Sequence, residues 1–163
     1  MWLAIAASPA LTKRIHTSWL TNLLRSLVEP KIAEHRGRVV KNTGDGFLAE
    51  FSSGVDAVRC ALDVQRGMAD RNINVPQEKR IEFRMGINIG DVIIDRGDIF
   101  GDGVNIAARL EGVAEPGGIC VSGRVLEDVQ GKPRSPSRTQ ATNSSRTSFG
   151  RSAFTGCALE ASP

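Results

Sequence analysis

A glycine-rich turn between two apolar runs limits the fold of this 163-residue chain more than any other feature. Residues 43–46 read Thr-Gly-Asp-Gly, and they separate Val39 and Val40 from a second apolar run at residues 47–51. Gly and Asp adopt the backbone angles of tight hairpin turns, while β-branched and aromatic residues favour strands. The stretch therefore predicts a β-hairpin, which commits the chain to at least one antiparallel pair of strands.

The spacing of apolar residues across residues 29–131 predicts helices and strands joined by short turns. Ser52 or Ser53 precedes a helical stripe, and apolar residues at 81, 83, 85 and 87 alternate with polar residues or glycine, which is typical of a half-buried strand. Further along, we predict a helix over 101–113, a turn at 116–118, a short strand at 119–121 and a last helical turn at 125–129. This order favours an antiparallel-rich α+β fold.

Composition divides the chain into three zones. Residues 1–28 contain no acidic residue and form an atypical N-terminal segment, and residues 29–131 are the organised part. Residues 132–163 are rich in Ser, Thr, Arg and Pro, a composition that predicts a disordered tail. The tail holds five basic residues and one acidic residue, so it accounts for the net charge of +3. The organised part has no basic surplus, and we expect no nucleic-acid partner.

The cysteines and the apolar runs bear on location. Three cysteines without a CxxC motif or a Cys/His cluster predict reduced thiols in a cytoplasmic protein. No apolar run reaches 18 residues, so we expect no membrane-spanning segment. The apolar opening at residues 1–7 is short and has no basic residue before it, unlike a signal peptide.

Two stretches carry side chains suited to a nucleoside triphosphate. The first places Lys41 and Asp45 at the predicted hairpin, and the second places Asp98 just before a predicted helix. That helix carries Asn105 and Arg109, which are four residues apart and therefore share one face. Together they offer a carboxylate for a cation, a Lys and an Asp for a base, and an amide and a guanidinium for ribose and phosphate.

Each residue also has an ordinary structural interpretation. Asp45 suits a turn because Asp bonds its own backbone there, and Lys41 suits the exposed side of a strand. Asp98 is an ordinary loop acid near a helix N-terminus, where the helix dipole favours it. Arg109 could form an ordinary surface ion pair with Glu111 or Glu115. These interpretations remain open for each residue taken alone.

Taken together, four segments resemble one family. They are KNTGDGF, FRMGINIGDV, GDIFGDGVNIAARLE and AEPGGICVSG, in this order between residues 28 and 131. The chain thus resembles the class III adenylate/guanylate cyclase catalytic domain of the bacterial type. The resemblance implies a ferredoxin-like βαββαβ-type domain with helices on one face of an antiparallel-rich sheet, incomplete at both termini.

The resemblance also implies roles for individual residues. Asp45 falls on a metal-binding aspartate of a two-ion Mg²⁺ or Mn²⁺ site, and Lys41 and Asp98 fall on the pair that reads the purine. Asn105 falls on the residue that orients the ribose, and Arg109 on the one that stabilises charge at the α-phosphate. The remaining implied substrate-binding positions surround the hairpin turn: Gly44, Gly46 and Phe47.

The implied reaction converts ATP to 3′,5′-cyclic AMP and pyrophosphate. One metal ion lowers the pKa of the 3′-hydroxyl, and the other holds the leaving phosphates. The family builds each site from two subunits, so the resemblance implies a homodimer. The alternatives are a catalytically inactive form that retains only dimerisation or nucleotide binding, and a basic-tailed module that binds RNA.

Both ends depart from the family pattern. The family carries its other metal aspartate on a strand before the first helix, yet the first acidic residue here is Glu29. The tail likewise lacks the family's terminal strands. One hypothesis is a frameshift at both ends. Re-read one base earlier with allowed codons, residues 1–16 give DVAGYSRLTGADEEDT, which resembles the missing strand, and residues 133–157 give AFAFEDAGDQQLEDIVRPVRVYRV, which resembles the terminal strands. The alternative is genuinely divergent termini.

Overall fold

A computed structural model describes residues 2–10, 21–42, 46–90, 93–95 and 98–131 of the chain. These described residues contain seven strands: β1 (Trp2–Ala10), β2 (Arg38–Asn42), β3 (Phe47–Phe51), β4 (Glu82–Gly90), β5 (Ile93–Asp95), β6 (Asp98–Phe100) and β7 (Ile119–Val121). The α-helices are α1 (Glu29–Glu34), α2 (Gly54–Asn72), α3 (Asp102–Val113) and α4 (Gly123–Val129). Among the described helices, none has the length and apolar character needed to cross a membrane.

Five strands form one sheet in the order β2-β3-β1-β4-β7. The predicted β2–β3 hairpin is confirmed, with Asn42 opposite Phe47 beside the turn. β1 runs antiparallel to both neighbours, with Ala7 opposite Phe47 on one side and Met85 on the other. β7 runs parallel to β4. The α+β class is therefore confirmed, and the sheet is mainly antiparallel.

The position of β1 corrects one expectation. We expected the sheet to be incomplete at the N-terminus, but the strand Trp2–Ala10 occupies its centre. The sequence hides this strand because a strand with neighbours on both sides and helices on both faces is apolar throughout, without alternation. Residues 132–163 lie outside the described part, so the disordered tail remains a prediction.

One face of the sheet packs against α2 in the main core. Ser53 caps α2, as predicted, by accepting a hydrogen bond from the Asp56 main-chain N–H at 3.4 Å. The helix buries its apolar stripe against alternate residues of β3 and β4. Gln65 adds two buried hydrogen bonds, to the carbonyl oxygens of Phe83 (2.8 Å) and Gly118 (3.2 Å), which tie α2 to the turn before β7.

The helical segment before β2 packs on this same core. A π-helical turn at Leu24–Val28 leads into α1, whose first turn contains Pro30. Val28 and Ile32 are buried in the core. Just after α1, the His35 side chain contacts the Asp63 carboxylate of α2 at 2.9 Å. This contact fixes the end of α1 against the long helix.

The opposite face of the sheet is covered by α3, which corrects the expectation of helices on one face only. Ala107 packs against Leu48 of β3, and Leu110 packs against Cys120 of β7. These residues form clusters apart from the main core, because they lie on the other side of the strands. β4 is consequently buried on both faces, whereas the alternation of its sequence predicted a half-buried strand.

Candidate functional site

The helix α3 presents Asn105 and Arg109 on its exposed side. Gly103, Ala107 and Leu110 form the buried side of the same helix, facing the sheet. Asn105 and Arg109 are both exposed, and their four-residue spacing places them one turn apart on a common face. One face of α3 therefore offers an amide and a guanidinium to a partner outside the core of this subunit.

The start of α3 depends on its glycines. Gly101 adopts a φ of 145°, a conformation that side-chain-bearing residues rarely take, and it is the N-cap residue of α3. Its carbonyl accepts from the N–H groups of Val104 (3.1 Å) and Asn105 (3.3 Å). Asp102 follows in the first turn, where a negative charge interacts favourably with the helix dipole.

Strand β4 holds α3 at very short range. A Cβ atom added at Gly86 would lie 2.0 Å from the carbonyl oxygen of Ala107, and one added at Gly90 would lie 2.7 Å from the Cα of Gly103. Between these glycines, the buried Asn88 side chain donates from Nδ2 to the Gly103 carbonyl at 3.0 Å. The helix that carries Asn105 and Arg109 thus rests directly on the backbone of β4.

Three residues of β4 position the site without having been predicted from the sequence: Gly86, Asn88 and Gly90. The signal was present, because alternate residues of a strand share a face and these three stand at every second position. Glycine and asparagine at these positions indicated a strand face exposed to solvent. On a strand, however, glycines also mark the close approach of another backbone segment.

The hairpin carries Lys41 at its exposed edge. Lys41 lies opposite Leu48 in the β2–β3 pair, one residue before the strand ends, and the register shifts between Val39 and Lys41. Residues 43–45, which include Gly44 and Asp45, lie outside the described residues. The metal role of Asp45 and the substrate role of Gly44 therefore remain predictions.

Phe47 is placed differently from the expectation. Its side chain is buried in the core and makes an edge-to-face contact with Phe83, with ring centroids 6.2 Å apart and planes at 77°. Gly46 is buried beside it. An aromatic ring held in this way stabilises the hairpin. Phe47 is thus a core residue beside the hairpin turn, and its substrate-binding role stays a prediction.

Asp98 lies in a second, smaller hairpin. It begins β6, and its backbone pairs opposite Asp95 at the end of β5. We expected a loop residue near the start of α3, so the strand position is a correction. Two residues separate Asp98 from Gly101, the N-cap of α3, and Asp98 is thereby tethered close to the helix that carries Asn105.

Lys41 and α3 occupy different parts of the sheet. Lys41 lies on the edge strand β2, whereas α3 lies over β4 and also reaches β3, where Ala107 packs against Leu48, the residue paired with Lys41. Asn105 and Arg109 project from the side of α3 that faces away from the sheet.

The described residues do not fit a two-ion metal site. Strand β1 contains no acidic residue, and no three His, Cys, Asp or Glu side chains cluster among the described parts of the chain in a way that could hold an ion. Glu50 of β3 is buried, but it is paired with Arg38 across the hairpin. The only carboxylate assigned to a metal by resemblance is Asp45, and a pair of divalent ions needs more than one carboxylate to offset their charge.

A thiol nucleophile is also excluded for Cys60. This residue lies in α2 and is 1% exposed. Burial, followed by the nearby Asp63 carboxylate, raises the pKa of the Cys60 thiol to about 12. Because only the thiolate is a competent nucleophile, this side chain acts as a small apolar core residue.

The sequence profile of the adenylate and guanylate cyclase catalytic domain matches residues 2–149 of the chain. This match is longer than the resemblance described above, because it includes β1 and part of the tail. A Rhizobium meliloti protein named "Putative adenylate cyclase 3" is 46% identical over 108 residues, which are 66% of this chain and 18% of the relative. An adenylate cyclase of Streptomyces coelicolor is 30% identical over 122 residues, 73% of this chain and 30% of the relative. The chain thus spans less than a third of the length of either relative.

Solved structures with the same fold also come from cyclases. A crystal structure of an adenylate/guanylate cyclase/hydrolase from Silicibacter pomeroyi has a TM-score of 0.72 and 45% identity, covering 80% of this chain and 81% of that one. The adenylyl cyclase CyaB from P. aeruginosa has a TM-score of 0.64 at 21% identity, covering 80% of each chain, which supports the fold alone.

Proposed function

Because the chain belongs to the adenylate and guanylate cyclase catalytic domain family, we propose that it binds ATP at a nucleotidyl cyclase site for the formation of 3′,5′-cyclic AMP and pyrophosphate, and that its own turnover is very slow because Asp45 is the only carboxylate assigned to the metal ions. The observation that carries this proposal is the exposed face of α3, on which Asn105 and Arg109 stand one turn apart above a rigid sheet. We place this activity in the cytoplasm, because the cysteines carry no pairing pattern.

The chemistry of Lys41 and Asp98 favours adenine over guanine. A Lys ammonium group only donates hydrogen bonds and suits a ring nitrogen, whereas an ionised Asp only accepts and suits the 6-amino group. Guanine carries a carbonyl oxygen in place of that amino group, so it would face the carboxylate with an acceptor. Leaving such a buried polar pair unmatched is the usual source of strong discrimination between similar substrates.

In the reaction, the ribose 3′-oxygen attacks the α-phosphorus while the bond from that phosphorus to the pyrophosphate oxygen breaks. The 3′-hydroxyl proton passes to water, and the pyrophosphate leaves with the electron pair of the broken bond. Asn105 orients the ribose, and Arg109 stabilises the negative charge that grows on the α-phosphate oxygens. Mg²⁺ or Mn²⁺, when bound, supplies Lewis acidity to the phosphates.

We further propose a homodimer in which each site uses both subunits. The outward direction of Asn105 and Arg109, which face away from the sheet of their own subunit, supports this arrangement. In a twofold dimer, Lys41 of one copy and Arg109 of the other contribute to the same site, and symmetry creates two such sites.

A second candidate function is a catalytically inactive form that keeps nucleotide binding or dimerisation. The specific observation in its favour is the absence of any acidic residue from the central strand β1. This form would hold the nucleotide through Lys41, Asp98 and the α3 pair without the second carboxylate that two metal ions need.

Selectivity for adenine provides a first test. We expect N-methylanthraniloyl-ATP, a fluorescent analogue, to bind in the presence of Mn²⁺ at least about tenfold more tightly than the GTP analogue. Asp98→Asn should reduce this ratio to about threefold or less, because an amide can also donate to the guanine carbonyl. The control is Asp70→Asn, the same change at an exposed position of α2. Equal affinities for both analogues in the unmodified chain would contradict the adenine assignment.

Mixing of subunits tests the shared site. Lys41→Ala and Arg109→Ala should each weaken binding of the ATP analogue by about tenfold or more, because each removes one charged contact from both sites. When the two variants are mixed in equal amounts and allowed to exchange, half of the dimers are mixed, and each contains one intact site. Binding at the original affinity should then return to about a quarter of all sites. No recovery after exchange would refute sites shared between subunits.

A further inference from the structure

No side chain caps the first turn of α3. In α2, the side chain of Ser53 caps the helix, but the N-cap of α3 is Gly101, which has no side chain to offer. A helix whose first turn lacks such a cap frays more easily. Since Asn105 lies within that first turn, its position depends on whatever else holds the turn.

Asn88, which lies outside α3, holds the first turn of this helix through a hydrogen bond. It belongs to β4 and is 3% exposed, and its Nδ2 donates to the Gly103 carbonyl oxygen at 3.0 Å. Gly90 lies directly beneath, and its lack of a side chain lets Gly103 approach the strand. The amide therefore holds the first turn of α3 on the central sheet at a point two residues before Asn105.

We propose that Asn88 is a positioning residue of the nucleotide site, which holds the first turn of α3 so that Asn105 and Arg109 meet the ribose and the α-phosphate. The reason is geometrical. A tilt of the first turn moves Asn105 directly and moves Arg109, one turn later, along with it. The inference rests on the proposed function for its ligand, whereas the hold of Asn88 on α3 is independent of any ligand.

The substitution Asn88→Asp tests whether the hydrogen bond from Asn88 to Gly103 keeps the first turn of α3 in place. The carboxylate has no N–H to donate and places a negative charge against the Gly103 carbonyl oxygen. We expect hydrogen–deuterium exchange of a peptide covering residues 102–109 to become about tenfold faster, because a buried hydrogen bond to the main chain is lost. The emission of N-methylanthraniloyl-ATP, whose fluorophore is attached to the ribose, should also lose the change that the unmodified protein induces.

The matched control is Asn72→Asp. The Asn72 side chain likewise donates from Nδ2 to a main-chain carbonyl, that of Ile81, at 2.7 Å, but it lies at the far end of α2. The same chemical change there should lower the melting temperature without altering exchange over residues 102–109 or the emission of the bound analogue. If both variants changed that exchange equally, Asn88 would be merely one of many stabilising residues.

Gly90→Ala provides a second route if Asn88→Asp fails to fold. The added Cβ would meet the Gly103 Cα at 2.7 Å and displace the first turn without removing the amide. It should reproduce the faster exchange over residues 102–109. If both variants unfold completely, or if both leave that exchange unchanged, the proposal is wrong. If the unmodified protein does not bind the ATP analogue, the proposed function is contradicted instead. The exchange data still test the role of Asn88 in that case.

Discussion

The unmodified chain should form little or no cyclic AMP from ATP with Mn²⁺, and Ser8→Asp should raise the rate on the order of 100-fold above that background. The reason is the number of carboxylates. A metal ion contributes several kcal/mol of charge stabilisation to phosphoryl chemistry, and each factor of ten in rate corresponds to about 1.4 kcal/mol. Strand β1 lacks the acidic residue that a second ion needs.

The register of the sheet determines the choice of Ser8. Ala7 pairs with Phe47, the first residue of β3, so Ser8 lies toward the end of the sheet at which residues 43–45 connect β2 to β3 in the sequence. The control is Trp2→Asp, because Trp2 pairs with Gly90 at the opposite end of the sheet. Cyclic AMP is measured by chromatography at equal protein concentration, with Asp45→Ala added to each variant. Robust turnover by the unmodified chain that depends on Asp45 would overturn the prediction.

A chimera tests the frameshift hypothesis separately. In it, residues 1–16 are replaced by DVAGYSRLTGADEEDT, whose first residue is an aspartate. If this chimera is active and Ser8→Asp is not, the replaced strand must pair with β3 and β4 in a different register from that of β1. That register would bring the first residue of the strand, its aspartate, beside the hairpin. If Ser8→Asp alone is active, the register described above is supported and a carboxylate suffices. Sequencing the gene decides whether the shifted codons exist.

The hairpin and α3 could be predicted because local residues determine them. Glycines at the turn, strand-forming residues beside it and the helical spacing after Gly101 all act over short distances along the chain. The central strand β1 could not be predicted in this way. Its sequence, WLAIAASPA, lacks alternation, as is typical of a central strand that pairs along both edges.

The placement of α3 escaped prediction for a related reason. A strand that alternates Phe83, Met85 and Ile87 with glycine and polar residues has the pattern of a strand exposed on one side. The contact with α3 is made by backbone atoms over Gly86 and Gly90, and backbone contacts leave no hydrophobic signature in a sequence. Candidate residues could therefore be named from the motifs, but the strand that positions them could not.

Gly86→Ala should destabilise the fold by about 3 kcal/mol, because the contact cannot relax. Its Cβ would lie 2.0 Å from the Ala107 carbonyl oxygen and 2.4 Å from the Glu111 nitrogen, both main-chain atoms in the middle of α3. A flexible side chain could rotate away, whereas here the whole helix must move off β4. In a domain of this size, the melting temperature should fall by roughly 10 °C.

The matched control makes the same substitution in the helix that Gly86 contacts. Gly112 lies in α3, is exposed, and has no atom within 4 Å of an added Cβ. Gly112→Ala should therefore stabilise the protein by about 0.5–1 kcal/mol, because alanine is the better helix former. Thermal unfolding followed by circular dichroism should thus give shifts of opposite sign for one chemical change. If the melting temperature of Gly86→Ala stayed within about 2 °C of that of the unmodified protein, α3 would not rest on β4 at this distance, and a β4-based mechanism for positioning Asn105 and Arg109 would be untenable.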